Sequence, residues 1–133
     1  MVKAVPLKNI PEKLETPYIT FWKEEGIVHG KWADKIEITL DIAKYSQQER
    51  LVFTNGIAAP FLADIRGVRS VSKEAREYFS KEGTMFITAG AMIINSELTK
   101  ALANFFLLIN RPPIPMKLFT DETNAKEWLK QYL

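Results

Sequence analysis

From Pro60 onward the chain alternates short apolar runs with single capped helical segments, and that alternation constrains its fold more than any other feature. Pro60–Ile65, Ala91–Ile94 (within Thr88–Asn95) and Met116–Phe119 are too short for helices. The first two are also too evenly apolar for strands wetted on one face and read as strands covered on both sides, while Met116–Phe119 reads as a short strand. Between and after them stand helical patterns. Ser72 caps a segment Lys73–Glu82 in which Ala75, Tyr78, Phe79 and Glu82 share a face, with Gly83 as the stop. Ser96 caps another, with a broad stripe of Leu98, Leu102, Phe105, Phe106 and Ile109. The three prolines of Asn110–Pro115 rule out helix and make a stiff connector. Thr120 then caps a last helix that sets Ala125, Trp128, Leu129 and Tyr132 together. Strands joined through single helices call for parallel neighbours with right-handed crossovers. Pro60–Ile65 and Ala91–Asn95 are therefore expected side by side.

The first half of the chain differs. Tyr18–Lys23 and Ile27–Trp32, rich in β-branched and aromatic residues, flank Glu24-Glu25-Gly26 and read as a hairpin with a three-residue turn. Ile36 and Ile38 alternate with Lys35 and Glu37 as a third short strand. Leu40–Phe53 is helix-friendly, with Thr39 or Asp41 as cap and Asn55-Gly56 as stop; Ile42, Tyr45 and Val52 form its apolar face, with Glu49 intruding. Residues 1–15, with Pro6 and Pro11, read as a loosely structured arm. The fold class is α/β in a single domain over 1–133: a mixed sheet of four to six strands with an N-terminal hairpin and about four helices. At 133 residues, 47% hydrophobic and 26% charged, the chain has the material for one core.

Composition excludes several kinds of chemistry. The chain has no cysteine, so disulfides, thiolate metal sites and a cysteine nucleophile are ruled out. His29 is the single histidine and lies on a hairpin strand, with no Gly-x-Ser-x-Gly elbow to partner it. No P-loop and no GxGxxG motif occurs. Glu24-Glu25 and Asp121-Glu122 are adjacent acids, but one pair reads as a turn and the other as a first helical turn, where acids suit the dipole. Asp64 follows a buried run, open to reading as a general base or as a carboxylate that accepts loop N–H bonds. Neither a catalytic residue nor a metal or cofactor site is expected. Eighteen Lys and Arg against sixteen Asp and Glu, without a basic block, argue against nucleic acid. The longest apolar stretch, Ala101–Ile109, is interrupted by Asn104 and too short to span a membrane. With no apolar leader of signal-peptide length, the expected location is the cytoplasm.

Three stretches carry a family likeness. Phe61–Ser72, Ala91–Asn95 and Lys117–Glu122, the last continuing through Ala125 and Trp128-Leu129, resemble the strand-to-loop, buried-strand and closing-helix segments of the STAS (SpoIIAA-like) domains. The resemblance covers nearly all of the chain after Thr16 and implies a SpoIIAA-like fold. It implies a regulatory role exercised by binding another protein, self-association into dimers, and kinship of fold with lipid-exchange domains. Anti-sigma-factor antagonists of that family carry a phosphorylatable Asp-Ser-Ser/Thr-Gly signature. The matching stretch here is Ser72-Lys73-Glu74-Ala75, so Glu74 stands at the phosphorylatable position.

Two candidate surfaces follow. One is partner-binding: Arg66, Arg69, Ser70, Ser72, Lys73 and Glu74, on the loop and helix start after a buried strand, with the chain's one local excess of positive charge. The other is Leu102, Phe105, Phe106 and Ile109 on the third helix, whose surplus of apolar surface suits core, a dimer face or the wall of a pocket for a lipid or small apolar ligand. A non-catalytic, protein-binding regulatory module is the first expectation, and a carrier or sensor of an apolar ligand the alternative.

Overall fold

A computed structural model describes residues 12–133. The expected arm lies outside the described residues up to Pro11, but its end, Lys13–Glu15, is a strand, β1, paired antiparallel with β2 (Ile19–Glu24). The Thr16 hydroxyl makes the turn by accepting the N–H groups of Tyr18 and Ile19. β2 and β3 (Ile27–Trp32) form the expected hairpin. Glu24 pairs with Ile27, so the loop is two residues rather than three. Glu25 and Gly26 both take positive φ, 55° and 81°, the turn whose twist matches the flanking strands.

The six-stranded sheet runs β1-β2-β3-β5-β7-β8, with β5 at Ala59–Asp64, β7 at Ile87–Ile93 and β8 at Met116–Phe119. From β3 onward all pairings are parallel, and β5 and β7 are neighbours with Leu62 opposite Ala91, as the alternation required. A second, two-stranded parallel sheet joins β4 (Ile36–Ile38) to β6 (Val68–Val71). The segment read from sequence as the loop 66–72 is thus largely strand. β5 ends at Asp64, and the turn through Arg66 and Gly67 leads the chain into β6.

Four helices complete the fold: α1 (Leu40–Thr54), α2 (Lys73–Phe79), α3 (Glu97–Phe105) and α4 (Glu122–Leu129). Thr39 and Ser72 cap as expected, and Ser96 forms a capping box with Thr99. The last helix is capped by Asp121 rather than Thr120. α2 stops at Phe79, three residues early, and Glu82–Thr84 is a separate 3-10 turn. α3 widens at Phe106–Asn110 into a π-helical turn, closed by the Arg111 N–H donating to the Phe106 carbonyl. Pro112 disfavours helical backbone at Arg111, which sits at φ 47°.

Strand alternation sorts the core onto two faces. Ile27, Leu62, Ala89, Ala91 and Ile93 meet Ala125 and Leu129 of α4. On the other face, Ile19, Phe21 and Val28 pack with Ala43 and Phe53 of α1 and Ala75 of α2, and Met92 meets Ala103 of α3. Gly30 of β3 leaves room on this face for the Phe61 ring, which would stand 2.5 Å from a Cβ there.

Two helices turn differently from expectation. Tyr45 and Val52 of α1 are exposed, and its buried face is Ala43, Ser46, Gln47, Arg50, Leu51, Phe53 and Thr54. On α3, Thr99 and Ala103 are the buried positions. The expected stripe is split: Leu102 and Phe106 turn inward, while Leu98, Phe105 and Ile109 face outward.

Candidate functional site

Small residues on the second face leave a gap beneath α3. Ala63 of β5, Gly90 of β7 and Ala103 of α3 all line it, and the Met116 side chain occupies the place a side chain at Gly90 would take. The result is a cavity of about 150 Å³, partly open to solvent, with almost wholly apolar walls. Phe61, Ile65 and Met92 form its floor, and Leu102 and Phe106 its roof. An apolar space of this size is on the scale of a benzene-sized guest.

The polar residues among the cavity's lining come mainly from α1. Ser46, Gln47 and Arg50 reach the wall because they share the face of Ala43, at three, four and seven residues' spacing. Gln47 is tied at both ends: its amide donates to the Glu82 carbonyl and its oxygen accepts the Tyr78 hydroxyl. The Ser46 hydroxyl is buried without a partner. Arg50 donates through Nη2 to the carbonyls of Gly83 (3.2 Å) and Met85 (2.9 Å), and its guanidinium stands 5.9 Å from the Phe61 ring centre. Burial pulls the Arg50 pKa down to about 10, so it stays charged at neutral pH. Arg76 of α2 also lines the cavity; it donates through Nη1 to the Val71 carbonyl (2.8 Å) and lies over Phe105, 4.7 Å from the ring centre. Its Nε is buried without a partner. Among the described residues neither arginine forms an ion pair.

The residues expected to bind a partner are divided between different settings. Arg66 is engaged: Nε and Nη2 grip both oxygens of Asp64 at 2.9 and 2.7 Å, and Glu122 of α4 stands at 3.8 Å. Burial would raise the Asp64 pKa, but the hydrogen bonds from the Arg66 side chain and backbone and its charge outweigh that and hold the carboxyl below its ordinary value. Asp64 is thus a carboxylate that accepts loop N–H bonds at a strand end. Arg69 is exposed and Ser70 half-buried on β6; Ser72 accepts the Ala75 N–H at 3.1 Å; Lys73 and Glu74 are exposed in the first turn of α2. Of the second group, Leu102 and Phe106 line the cavity, whereas Phe105 and Ile109 are exposed on the outer side of α3.

His29 is buried and stacked on Trp22, ring centres 5.0 Å apart, with neither ring nitrogen hydrogen-bonded. Burial lowers its pKa, so it is neutral at pH 7. Among the described residues no carboxylate or hydroxyl hydrogen-bonds its ring, which leaves it outside triad geometry. Among the described residues, no three His, Asp or Glu side chains gather as metal ligands, and no helix is long and apolar enough to cross a membrane.

Ser46, Gln47, Arg50 and Arg76 were not singled out from sequence. The signal exists: polar residues at 46, 47, 50 and 54 repeat with helical spacing around Ala43. A search for apolar periodicity passes over it, because it assumes that the buried face is the apolar one.

A hairpin leading into parallel strands, with three helices on one face and a closing helix on the other, defines a protein of SpoIIAA-like fold. A solved structure from Shewanella loihica PV-4, described as an uncharacterized protein from the DUF3478 family with a SpoIIAA-like fold, superposes with a TM-score of 0.58. The likeness covers 84% of this chain and 91% of that one at 20% identity. The expected fold class therefore holds. The chain belongs to a domain family of unknown function, DUF7793, whose sequence model matches residues 21–133. No curated protein matches its sequence.

Proposed function

We propose that this protein is a non-catalytic binding module that takes up a small apolar molecule in the cavity beneath α3. The observation that carries the reading is the cavity itself, a gap of about 150 Å³ walled by apolar side chains in an otherwise two-sided core. Interiors close around such gaps because each one forfeits packing, on the order of 24 cal/mol per Å³. A gap this large is better explained as space held for a guest than as a packing defect. Uptake and release make the module a carrier or a sensor. The test is organic extraction of protein purified without detergent, followed by mass spectrometry of the extract and titration of an apolar probe. A co-purified molecule near one per chain, or saturable one-to-one binding of the probe, is expected. An empty extract together with no probe binding would refute the reading.

A second reading keeps protein binding as the role. It is favoured by the outer side of the α3 end, where Leu108 is 68% and Ile109 63% exposed beside Phe105. Adjacent exposed apolar side chains of this size mark interaction surfaces. A second copy of the chain is the simplest occupant, as dimerising relatives of the fold imply. Sedimentation equilibrium at micromolar concentration then gives a dimer that Ile109→Asp dissociates. A 15.2 kDa monomer throughout would remove the reading.

A further inference from the structure

We propose that the cavity selects an apolar molecule bearing an anionic group, a carboxylate above all, which Arg50 and Arg76 recognise. The inference rests on the reading of the cavity as a binding site and adds the chemical class of the guest.

A buried cation is expensive unless a counter-charge compensates it. Arg50 is 5% exposed and reaches the wall of an apolar cavity. Its known partners are two neutral carbonyls and an aromatic face, none of which supplies negative charge. Arg76 is only half-buried, with one carbonyl and the exposed Phe105 ring as partners. Both residues line the same cavity and neither is matched by a carboxylate among the described residues, in a protein that elsewhere pairs Arg66 with Asp64 through both oxygens. Two further groups are left over. The Arg76 Nε has no acceptor, and the Ser46 hydroxyl, on a residue 3% exposed in the cavity wall, has no partner. A guanidinium has five N–H donors in a planar fork shaped for a carboxylate. The lining thus sets the unmatched positive charge of Arg50 at one side and apolar surface elsewhere. That arrangement complements an amphiphilic acid whose body lies against Phe61, Met92 and Phe106 and whose anionic end turns toward α1 and α2. A neutral guest of the same shape fills the apolar part but leaves the buried Arg50 charge uncompensated.

The test compares 4-phenylbutyrate with 4-phenylbutan-1-ol by calorimetric titration, with 4-phenylbutyl phosphate as a third arm for phosphate-terminated guests. The acid or the phosphate is expected to bind about tenfold or more tightly than the alcohol, because charge-assisted hydrogen bonds are the strong ones. Arg76→Met, at the more exposed side of the cavity, is expected to cut that preference while leaving alcohol affinity within about twofold. Arg50→Met also removes bonds to the 83–85 turn, so its thermal unfolding is recorded beside its titration, and the wild-type comparison does not depend on it. Equal affinities for acid, phosphate and alcohol would overturn the charge selection and leave the apolar cavity site standing. A preference that survives both substitutions would overturn the assignment to these arginines. Failure of all three compounds to bind, with an empty extract, would overturn the cavity reading as well.

Discussion

Asp64 and Arg66 show how one residue's setting redirects an expectation. From sequence, Arg66 belongs with Arg69 and Lys73 to a local excess of positive charge on the expected partner-binding surface. The Asp64 side chain is 6% exposed and both its oxygens are held by Arg66. Arg66→Met strands that carboxylate and is expected to cost about 1–3 kcal/mol, measured by urea unfolding. Arg69→Glu, on an exposed position, should stay within about 0.5 kcal/mol. Equal and negligible effects would show that the pair contributes nothing. His29 gives a pH dependence of definite sign. Its folded pKa is depressed below the ordinary value of 6.5 by burial, so the unfolded chain binds the proton more readily. The His29 contribution is whole above about pH 6.5 and is lost as the pH falls below it, by at most about 1.4 kcal/mol per pH unit. The wild type should therefore lose more melting temperature between pH 7.5 and 5.5 than His29→Phe, which keeps the stack on Trp22. Parallel melting curves for the two would contradict this account.

At the level of elements, strands and caps were legible because their causes are local. Ser72, Ser96 and Thr39 announce helix starts by side-chain chemistry, and Ala91–Ile94 announces a buried strand by uniform apolarity. β1 and β6 were not legible. Lys-Leu-Glu has too few residues to show a period, and Val68–Val71 becomes a strand through its pairing with the distant β4. The facing of α1 was misread for a physical reason. Its buried side must present hydrogen-bonding groups to the carbonyls of Glu82, Gly83 and Met85, so Gln47 and Arg50 lie inside while Tyr45 and Val52 lie outside. Val52→Lys, near the helix C-terminus, is accordingly expected to change stability by less than about 0.5 kcal/mol. Ala43→Lys, which forces a charge into the core, should cost more than about 3 kcal/mol. Chemical denaturation of the two variants decides between this facing and the apolar-face reading, which would penalise Val52→Lys.

Across the whole molecule, α1, α2 and α3 do not close fully on the sheet, and the space between them is the protein's proposed working part. The fold class and the β5–β7 adjacency were readable from alternation, and so was the inward part of the third-helix stripe, Leu102 and Phe106. The cavity was not, because an empty volume is a property of packed layers and leaves no signature in any single segment. Ala63 faces this space from β5 and is half-buried for that reason. Ala63→Leu adds three carbons at a position where a tightly packed core would resist them at a cost of about 1–3 kcal/mol. Titration of 4-phenylbutyrate into the wild type and this variant, with the melting temperature of each unliganded protein, tests the central claim most directly. The account predicts saturable one-to-one binding to the wild type, and no binding to a variant that melts at the same temperature or higher. A variant that binds as the wild type does, or a marked fall in its melting temperature, would contradict it.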